Sequence, residues 1–168
     1  MQNHLTFSGY SKPGPTKVFG FTLIEVIIVI TLAGILAAAA VPSFRSLIAS
    51  QRIKTASFDV LAALTQTRSE AIKRNVNVTM TEAAGGWKNG WTIASGATLA
   101  VKAAYTGLSI NESSNVTVIT FLANGRQPTG SPTVKFTINA SPSVSLVNPR
   151  CVSLSLSGQP SSSVGACS

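Results

Sequence analysis

Residues 17–25 read KVFGFTLIE, and residues 26–41, VIIVITLAGILAAAAV, contain no charged side chain. The 22 residues from Phe21 to Pro42 would form a helix about 33 Å long, since each helical residue adds about 1.5 Å. That length matches the hydrocarbon core of a bilayer, which is about 30 Å thick. The stretch therefore predicts a transmembrane helix near the start of the chain.

The residues before this segment indicate its orientation. Lys12 and Lys17 precede it without an acidic residue beside them. Because positive residues stay on the cytoplasmic side of a membrane, we expect residues 1–20 in the cytoplasm and the rest of the chain outside it. Two alternatives compete at this point. One is an ordinary secretory signal cleaved near residues 38–40, which are three alanines, and the other is a plain signal anchor.

Glu25 argues against both alternatives. A carboxylate in a membrane helix costs about 2.5–3.5 kcal/mol near the bilayer centre and less near the end, so a simple anchor has no use for it. Cleavage between Gly20 and Phe21 would create an α-amino group four residues before Glu25. Positions four apart share one face of a helix. The new amine is therefore predicted to pair with the carboxylate, within one subunit or between neighbours.

Gly20 followed by Phe21-Thr22-Leu23-Ile24-Glu25 resembles the class III signal of type IV prepilins and type II secretion pseudopilins. The resemblance implies that a prepilin peptidase cuts after Gly20 and methylates the amine of Phe21. It also implies that Glu25 aligns each incoming subunit by neutralising a neighbour's terminal amine. Pro42 falls where many pilins carry a proline, which removes one helical hydrogen bond and favours a kink.

Beyond Pro42 the pattern predicts a continuing amphipathic helix that ends at about residue 75, where Asn75 is a suitable stop. Its apolar positions recur at spacings of three and four and predict a face packed on a sheet: Ile53, Ala56, Val60, Leu61, Leu64, Ala71 and Ile72. The basic residues between them are expected on a solvated face.

Short β-like runs separated by Gly, Asn, Ser and Pro turns follow the helix. The predicted strands are Val76–Glu82, Trp91–Ser95, Val116–Leu122, Thr133–Asn139 and Cys151–Ser157, while the serine-rich tail at 160–164 is predicted to be a loop. The fold class is therefore α+β, with one long helix followed by an antiparallel sheet domain. Trp87 and Trp91 are interpreted as core and edge aromatics rather than ligand platforms.

Three further segments resemble the minor-pilin group that contains FimU, FimT and the pseudopilin GspH. They are Arg68–Asn75, the Trp87-to-Trp91 stretch, and Phe121–Arg126, which has the form Phe-x-x-x-Gly-Arg. The resemblance implies a pilin-like fold with three parts. These are a cleaved leader at 1–20, a transmembrane and assembly half of the helix at 21–42, and a periplasmic domain at 43–168.

Cys151 and Cys167 are the two cysteines of the chain. In an extracytoplasmic domain an even pair predicts a disulfide, and two buried free thiols are the alternative. A bridge would close a loop of 17 residues, which the chain-entropy model associates with about 3 kcal/mol of stabilisation.

Enzymatic chemistry has little support in the sequence. The single histidine, His4, lies in the predicted leader, and the five acidic residues are scattered without a paired-carboxylate pattern. The chain also lacks a phosphate-binding loop and a zinc-finger cysteine pair. We therefore expect no catalytic residue, no cofactor and no metal site.

The positive charge raises a separate possibility. Without Lys12 and Lys17 the chain has eleven basic and five acidic residues, a formal charge of +6, and such a protein can bind DNA phosphates. Some FimT-type pilins bind DNA through a C-terminal Gly-Arg-x-Arg motif. The corresponding segment at 158–161, Gly-Gln-Pro-Ser, has neither arginine. The candidate DNA contacts are Arg126, Lys135 and Arg150.

The expected function is that of a minor pilin that primes type IV pilus assembly and sits at or near the fibre tip. A DNA receptor of the FimT type and a secretion pseudopilin of the GspH type are the alternatives. The expected partners are other minor and major pilins, the prepilin peptidase and, before assembly, the bacterial inner membrane, with DNA less favoured. The chain is expected to cross that membrane once, with its C-terminal domain in the periplasm.

Overall fold

The computed structural model describes residues 20–168, so the predicted leader up to residue 19, with His4, Lys12 and Lys17, lies outside the described part. A single long helix, α1, spans Leu23–Arg74 and contains Pro42 in its interior. It ends because Asn75 adopts a φ of 52°, the left-handed conformation that closes many helices. The end predicted at Asn75 is confirmed.

The chain divides into two units, one that ends at Ala39 and one that runs from Ala40 to Ser168. In the described part of the first unit, every helical side chain is exposed. In the second unit α1 carries a buried stripe with spacings of mostly three and four: Ala49, Ile53, Ala56, Ser57, Val60, Ala63, Leu64, Thr67 and Ala71. The predicted apolar face is confirmed except at its margins, because Leu61 is only partly buried and Ile72 is exposed.

Eight strands follow the helix and form two antiparallel sheets of four strands. Sheet A has the order β3-β2-β1-β5, and its strands are β1 (Val78–Glu82), β2 (Trp91–Ser95), β3 (Ala97–Lys102) and β5 (Val118–Phe121). Sheet B has the order β4-β6-β7-β8, and its strands are β4 (Leu108–Glu112), β6 (Val134–Ala140), β7 (Arg150–Leu154) and β8 (Pro160–Val164).

One hydrophobic core joins both sheets to the buried stripe of α1. Alternate residues of the strands face it, as in β6, where Val134, Phe136 and Ile138 are buried. Trp87 packs edge-on against Phe136 with ring centroids 5.0 Å apart, which links the β1–β2 connection to sheet B. Both tryptophans are buried in this core, as predicted.

Three strands differ from the sequence-based prediction. The serine-rich tail was expected to be a loop, but it forms β8, which pairs with β7 from Leu154↔Pro160 to Arg150↔Val164. This expectation is wrong because β8 is an edge strand with nearly every side chain exposed, so no apolar alternation marks it. β3 is similarly open to solvent. β4 was missed although Leu108 and Ile110 alternate with polar residues.

Candidate functional site

The first turn of α1 is closed by a reciprocal pair of side chains. Thr22 precedes the first helical residue, and both its backbone N–H and its hydroxyl donate to Oε2 of Glu25, at 2.8 Å and 2.9 Å. In return the backbone N–H of Glu25 donates to the Thr22 hydroxyl at 3.3 Å. This is a capping box, which satisfies two of the N–H groups that a helix leaves unpaired at its start.

The capping box fixes where the predicted assembly residue lies. Glu25 is exposed in the first turn of α1, where the helix dipole favours negative charge. Glu25 was predicted from the sequence, whereas Thr22 was not. Its signal was available, because a threonine followed three residues later by glutamate before an apolar run is a helix-start pattern.

The predicted processing bond lies just before this box. Gly20, Phe21 and Thr22 precede the helix without regular secondary structure, and all three are exposed. A Cβ added at Gly20 would meet no atom within 4 Å. The Gly20–Phe21 peptide bond is therefore open to approach in the described part of the chain.

The helix after Glu25 presents an apolar surface to its surroundings. Within residues 20–168, α1 is the one helix long and apolar enough to cross a membrane. Large exposed apolar side chains extend along it from Leu23 to Ile48. An apolar surface of this extent marks contact with lipid or with other protein. Pro42 lies inside the helix and supplies no N–H for the carbonyl four residues earlier, so its role as a kink stays a prediction.

The two cysteines form the predicted disulfide. Cys151 is on β7 and Cys167 follows β8, with their Cα atoms 5.0 Å apart. The bridge fastens the end of the tail to sheet B, on the face of the sheet that points away from the core, since Cys151 is opposite Thr137 in the register. Neither cysteine is free.

Two segments of the family resemblance, Arg68–Asn75 and Phe121–Arg126, lie together with the β7–β8 turn near the C-terminal end of α1. Gly158, in the β7–β8 turn, approaches the backbone of Gly125 so closely that an added Cβ would lie 2.0 Å from the Gly125 carbonyl oxygen. Arg68 donates from Nη1 to Oε1 of Gln159 at 2.8 Å. The segment at 158–161 is thus bound to the helix through Gln159.

The three candidate DNA contacts do not converge on one surface. Arg126 lies exposed in the β5–β6 connection. Lys135 is on the outer face of sheet B and donates through Nζ to the backbone oxygen of Ser168. Arg150 is paired with Ile138 in the register and places its guanidinium 5.9 Å from the ring centre of Phe58 on α1. Lys135 and Arg150 therefore project from opposite faces of the same sheet.

A polar cluster fastens β3 to the helix. Asp59 of α1 accepts hydrogen bonds through Oδ2 from Nζ of Lys102 at 2.7 Å and from the hydroxyl of Tyr105 at 2.8 Å. Burial, and then the hydrogen bond and charge of Asp59, raise the pKa of Tyr105 above its ordinary value. Asp59 is half-buried and paired with Lys102, a contact that was not predicted from the sequence. No group of three or more potential metal ligands occurs in residues 20–168.

Comparisons with known proteins identify the two parts of the chain separately. A family model described as type II transport protein GspH matches residues 56–158, which is more than half of the chain. A model of the prokaryotic N-terminal methylation motif matches residues 16–41. No individually curated protein matches the chain.

Two crystal structures of the type IV minor pilin FimU from Pseudomonas aeruginosa are similar to the chain in fold. They are 22% and 24% identical in sequence, both with a TM-score of 0.57. Each alignment covers 66% of this chain, and the two cover 87% and 91% of the respective FimU chains. These structures confirm the predicted pilin-like arrangement of a long helix on antiparallel sheets.

The methylation motif and the apolar helix together indicate anchoring in the inner membrane, with a soluble C-terminal domain after the helix. Pilin-like proteins are structural and assemble with other pilins after a prepilin peptidase has processed them. Because the GspH model covers α1 from residue 56 onward, all of sheet A, three of the four strands of sheet B and the turns that contain Gly125 and Gly158, the chain belongs to the GspH family of pilin-like proteins.

Proposed function

We propose that this protein is a minor pilin that primes type IV pilus assembly and enters the fibre at or near its tip through its N-terminal helix. The observation that carries the proposal is the Thr22–Glu25 box, which lies next to an exposed Gly20–Phe21 bond on an exposed apolar helix. A prepilin peptidase cuts this bond and methylates Phe21. The domain then lies in the periplasm, because Lys12 and Lys17 hold the leader in the cytoplasm.

The geometry of the box suggests how Glu25 serves two partners. Both hydrogen bonds from Thr22 are accepted by Oε2. A carboxylate has about four lone-pair sites on its two oxygens, so Oε1 can receive the methylated amine of a neighbouring subunit. That amine and the carboxylate attract each other strongly in hydrocarbon, where little water screens them. The pairing sets the axial position of each subunit as it joins the fibre.

A role in type II secretion is the second candidate, because the family model that matches residues 56–158 bears that description. The FimU similarity favours the pilus, since FimU is a type IV minor pilin. Both roles use the same processing and the same helix. They differ in the assembly that contains the subunit and therefore in the other pilins that it contacts.

Deletion of the gene in its host separates the two roles. We expect loss of surface fibres, counted by electron microscopy, with normal levels of secreted proteins in the culture medium. Wild-type protein should restore the fibres and Glu25→Ala should not, although both reach the membrane in equal amounts. Glu70→Ala, a change to another glutamate of α1, is the matched control and should restore them. Normal fibres with defective secretion would instead establish the pseudopilin role.

A further inference from the structure

The β6–β7 connection, residues 141–149, lies beside the part of α1 that follows the membrane segment. Its residues 142–146 line a groove of about 630 Å³ together with helix residues 41–43, Arg45 and Ser46. A second groove of about 310 Å³ continues from it and is lined in part by Arg45, Arg52 and Gly107. We call this region, residues 41–52 with residues 141–149 and Gly107, the loop–helix edge.

Leu146 is the most unusual residue of this edge. Its side chain is 99% exposed, and its φ of 64° places a non-glycine residue in the left-handed region. That conformation costs about 1–2 kcal/mol for a residue with a Cβ, and such strain concentrates at functional segments. The surrounding residues 141–149, SPSVSLVNP, carry no charge. The loop therefore presents an apolar tip to its surroundings.

The helix side of the edge is basic as well as apolar. Between Glu25 and Asp59 the sequence has no acidic residue but three basic ones, Arg45, Arg52 and Lys54. Arg45 and Arg52 are both exposed, and in residues 20–168 neither forms a salt bridge. Phe44, Leu47 and Ile48 are exposed on the same turns. The edge thus combines free positive charge with apolar side chains.

Chain length places this surface next to the bilayer. Arg45 follows Pro42, the end of the predicted span, by three residues, which is about 4.5 Å along a helix. The headgroup layer on each side of a bilayer is about 5–7 Å thick, from the difference between its total and hydrocarbon dimensions. Arg45 therefore lies at the depth of lipid phosphates in the membrane-anchored subunit.

We propose that the loop–helix edge is a second membrane contact, in which Leu146 enters the bilayer interface and Arg45 binds the phosphate of an anionic phospholipid. The contact belongs to the anchored subunit before assembly, so the inference rests on the membrane anchoring in the proposed function. Apolar side chains beside basic ones are the combination that binds anionic membrane surfaces. Extraction into a fibre must break this contact.

The test uses the full chain in vesicles of phosphatidylglycerol and phosphatidylethanolamine at low protein density. An L146W variant reports contact through the quenching of its fluorescence by lipids brominated in the upper acyl chain. The native Trp87 and Trp91 are buried in the core and give a constant background. T133W is the matched control. Thr133 is exposed and directly precedes β6, so it lies at the opposite end of that strand from the loop. We expect a blue shift and quenching for L146W alone.

Charge dependence gives the second measurement. Arg45→Gln in the L146W background should weaken the contact about fivefold, the equivalent of roughly 1 kcal/mol for one basic side chain at an anionic surface. Replacement of phosphatidylglycerol by phosphatidylcholine should weaken it at least as much. Resistance to alkaline extraction shows independently that the N-terminal helix is inserted.

Unquenched L146W in a chain that resists alkaline extraction would overturn the proposal and leave membrane anchoring intact. Extraction of the chain by alkali would instead contradict the anchoring itself. Quenching or a blue shift that appears only at high protein density would mean that a second copy of the chain covers the edge, which also overturns the lipid contact.

Discussion

The Gly20–Phe21 peptide bond is the predicted processing site of the chain. It lies before α1 in an exposed segment, with open space around Gly20. We predict that the mature chain begins with N-methylated Phe21, as measured by mass spectrometry of its N-terminus. Gly20→Val should retain the leader, because a branched side chain crowds the bond. A mature start near Val41 would establish the ordinary secretory signal instead.

Two glycines with nearly equal backbone angles give a matched test of close packing. Gly158 has a φ of 80° and Gly130 a φ of 82°. An added Cβ at Gly158 would collide with the Gly125 carbonyl oxygen, whereas one at Gly130 would meet nothing within 4 Å. Gly130→Ala should therefore cost about 1–2 kcal/mol for the left-handed backbone alone. Gly158→Ala should cost about 1–3 kcal/mol more, as overpacking does.

Unfolding of the full chain in detergent, followed by the fluorescence of the buried tryptophans, measures both variants. The fluorescence of Trp87 and Trp91 reports the sheets because both side chains lie in the core. Equal destabilisation by the two alanines would show that the Gly125 backbone moves aside without loss of unfolding free energy. The close Gly158–Gly125 packing would then have no structural role.

At the scale of elements, the link between β3 and α1 depends on pH. The pKa of Tyr105 is raised above its ordinary value of 10.0, so the folded state favours the neutral phenol. This contribution to stability is fully present below about pH 10 and is lost as the pH rises further. Tyr105→Phe should lower the free energy of unfolding at pH 8 by about 1 kcal/mol, through the lost hydrogen bond to Asp59.

The same variant should lose stability less steeply than the wild type above pH 10, because it has no phenol to ionise. Denaturant unfolding at a series of pH values measures both slopes. The other tyrosine, Tyr10, lies in the predicted leader, so Tyr10→Phe should behave like the wild type. Identical slopes for the wild type and Tyr105→Phe would contradict the coupling between Tyr105 and Asp59.

The elements differ in how well the sequence predicts them, and the reason is burial. α1 was predicted from its uncharged run and its three-and-four spacing, which are consequences of contact with lipid or core. Its end was predicted from Asn75, which is exposed and adopts the left-handed conformation. Strands with buried alternating residues, such as β6, were found for the same reason, with β4 as the exception. β8 was missed because its position depends on backbone pairing with β7 and on the disulfide, neither of which leaves an apolar pattern.

The candidate site shows a similar division. Gly20, Phe21 and Glu25 were predicted because their chemistry is unusual beside a membrane segment. The contact between Gly158 and Gly125 could not be predicted from the sequence, because it joins turns that are more than thirty residues apart. The pairing of Asp59 was not predicted for a related reason. Its partners Lys102 and Tyr105 come from β3 and the segment that follows it, and β3 itself was not predicted.

At the scale of the whole molecule, the distribution of positive charge bears on DNA binding. Lys135 and Arg150 project from opposite faces of sheet B, so one duplex does not contact both. We predict only non-specific binding by the full chain in detergent, with a Kd of about 10⁻⁴–10⁻⁶ M that weakens steeply with salt. Fluorescence polarisation with labelled duplex DNA measures it.

The alanine variants of the three candidate contacts provide the control. Arg126→Ala, Lys135→Ala and Arg150→Ala should each weaken binding slightly and by similar amounts, as the loss of one charge does. Tighter binding that persists at an ionic strength of about 0.15 M, and that one of these variants abolishes, would make the protein a DNA receptor.

The disulfide also determines how the molecule responds to a pulling force. It joins β7 to the tail within sheet B, and in residues 20–168 no second bridge ties the helix to either sheet. In the proposed fibre, tension along the helices would act parallel to the surface where the buried stripe of α1 packs on the sheets. Such shear loads all of these side-chain contacts at once, whereas peeling would break them one after another. The resistance of this subunit to pulling therefore comes from the packed core. The disulfide only keeps β8 and the tail attached to β7 at the edge of sheet B.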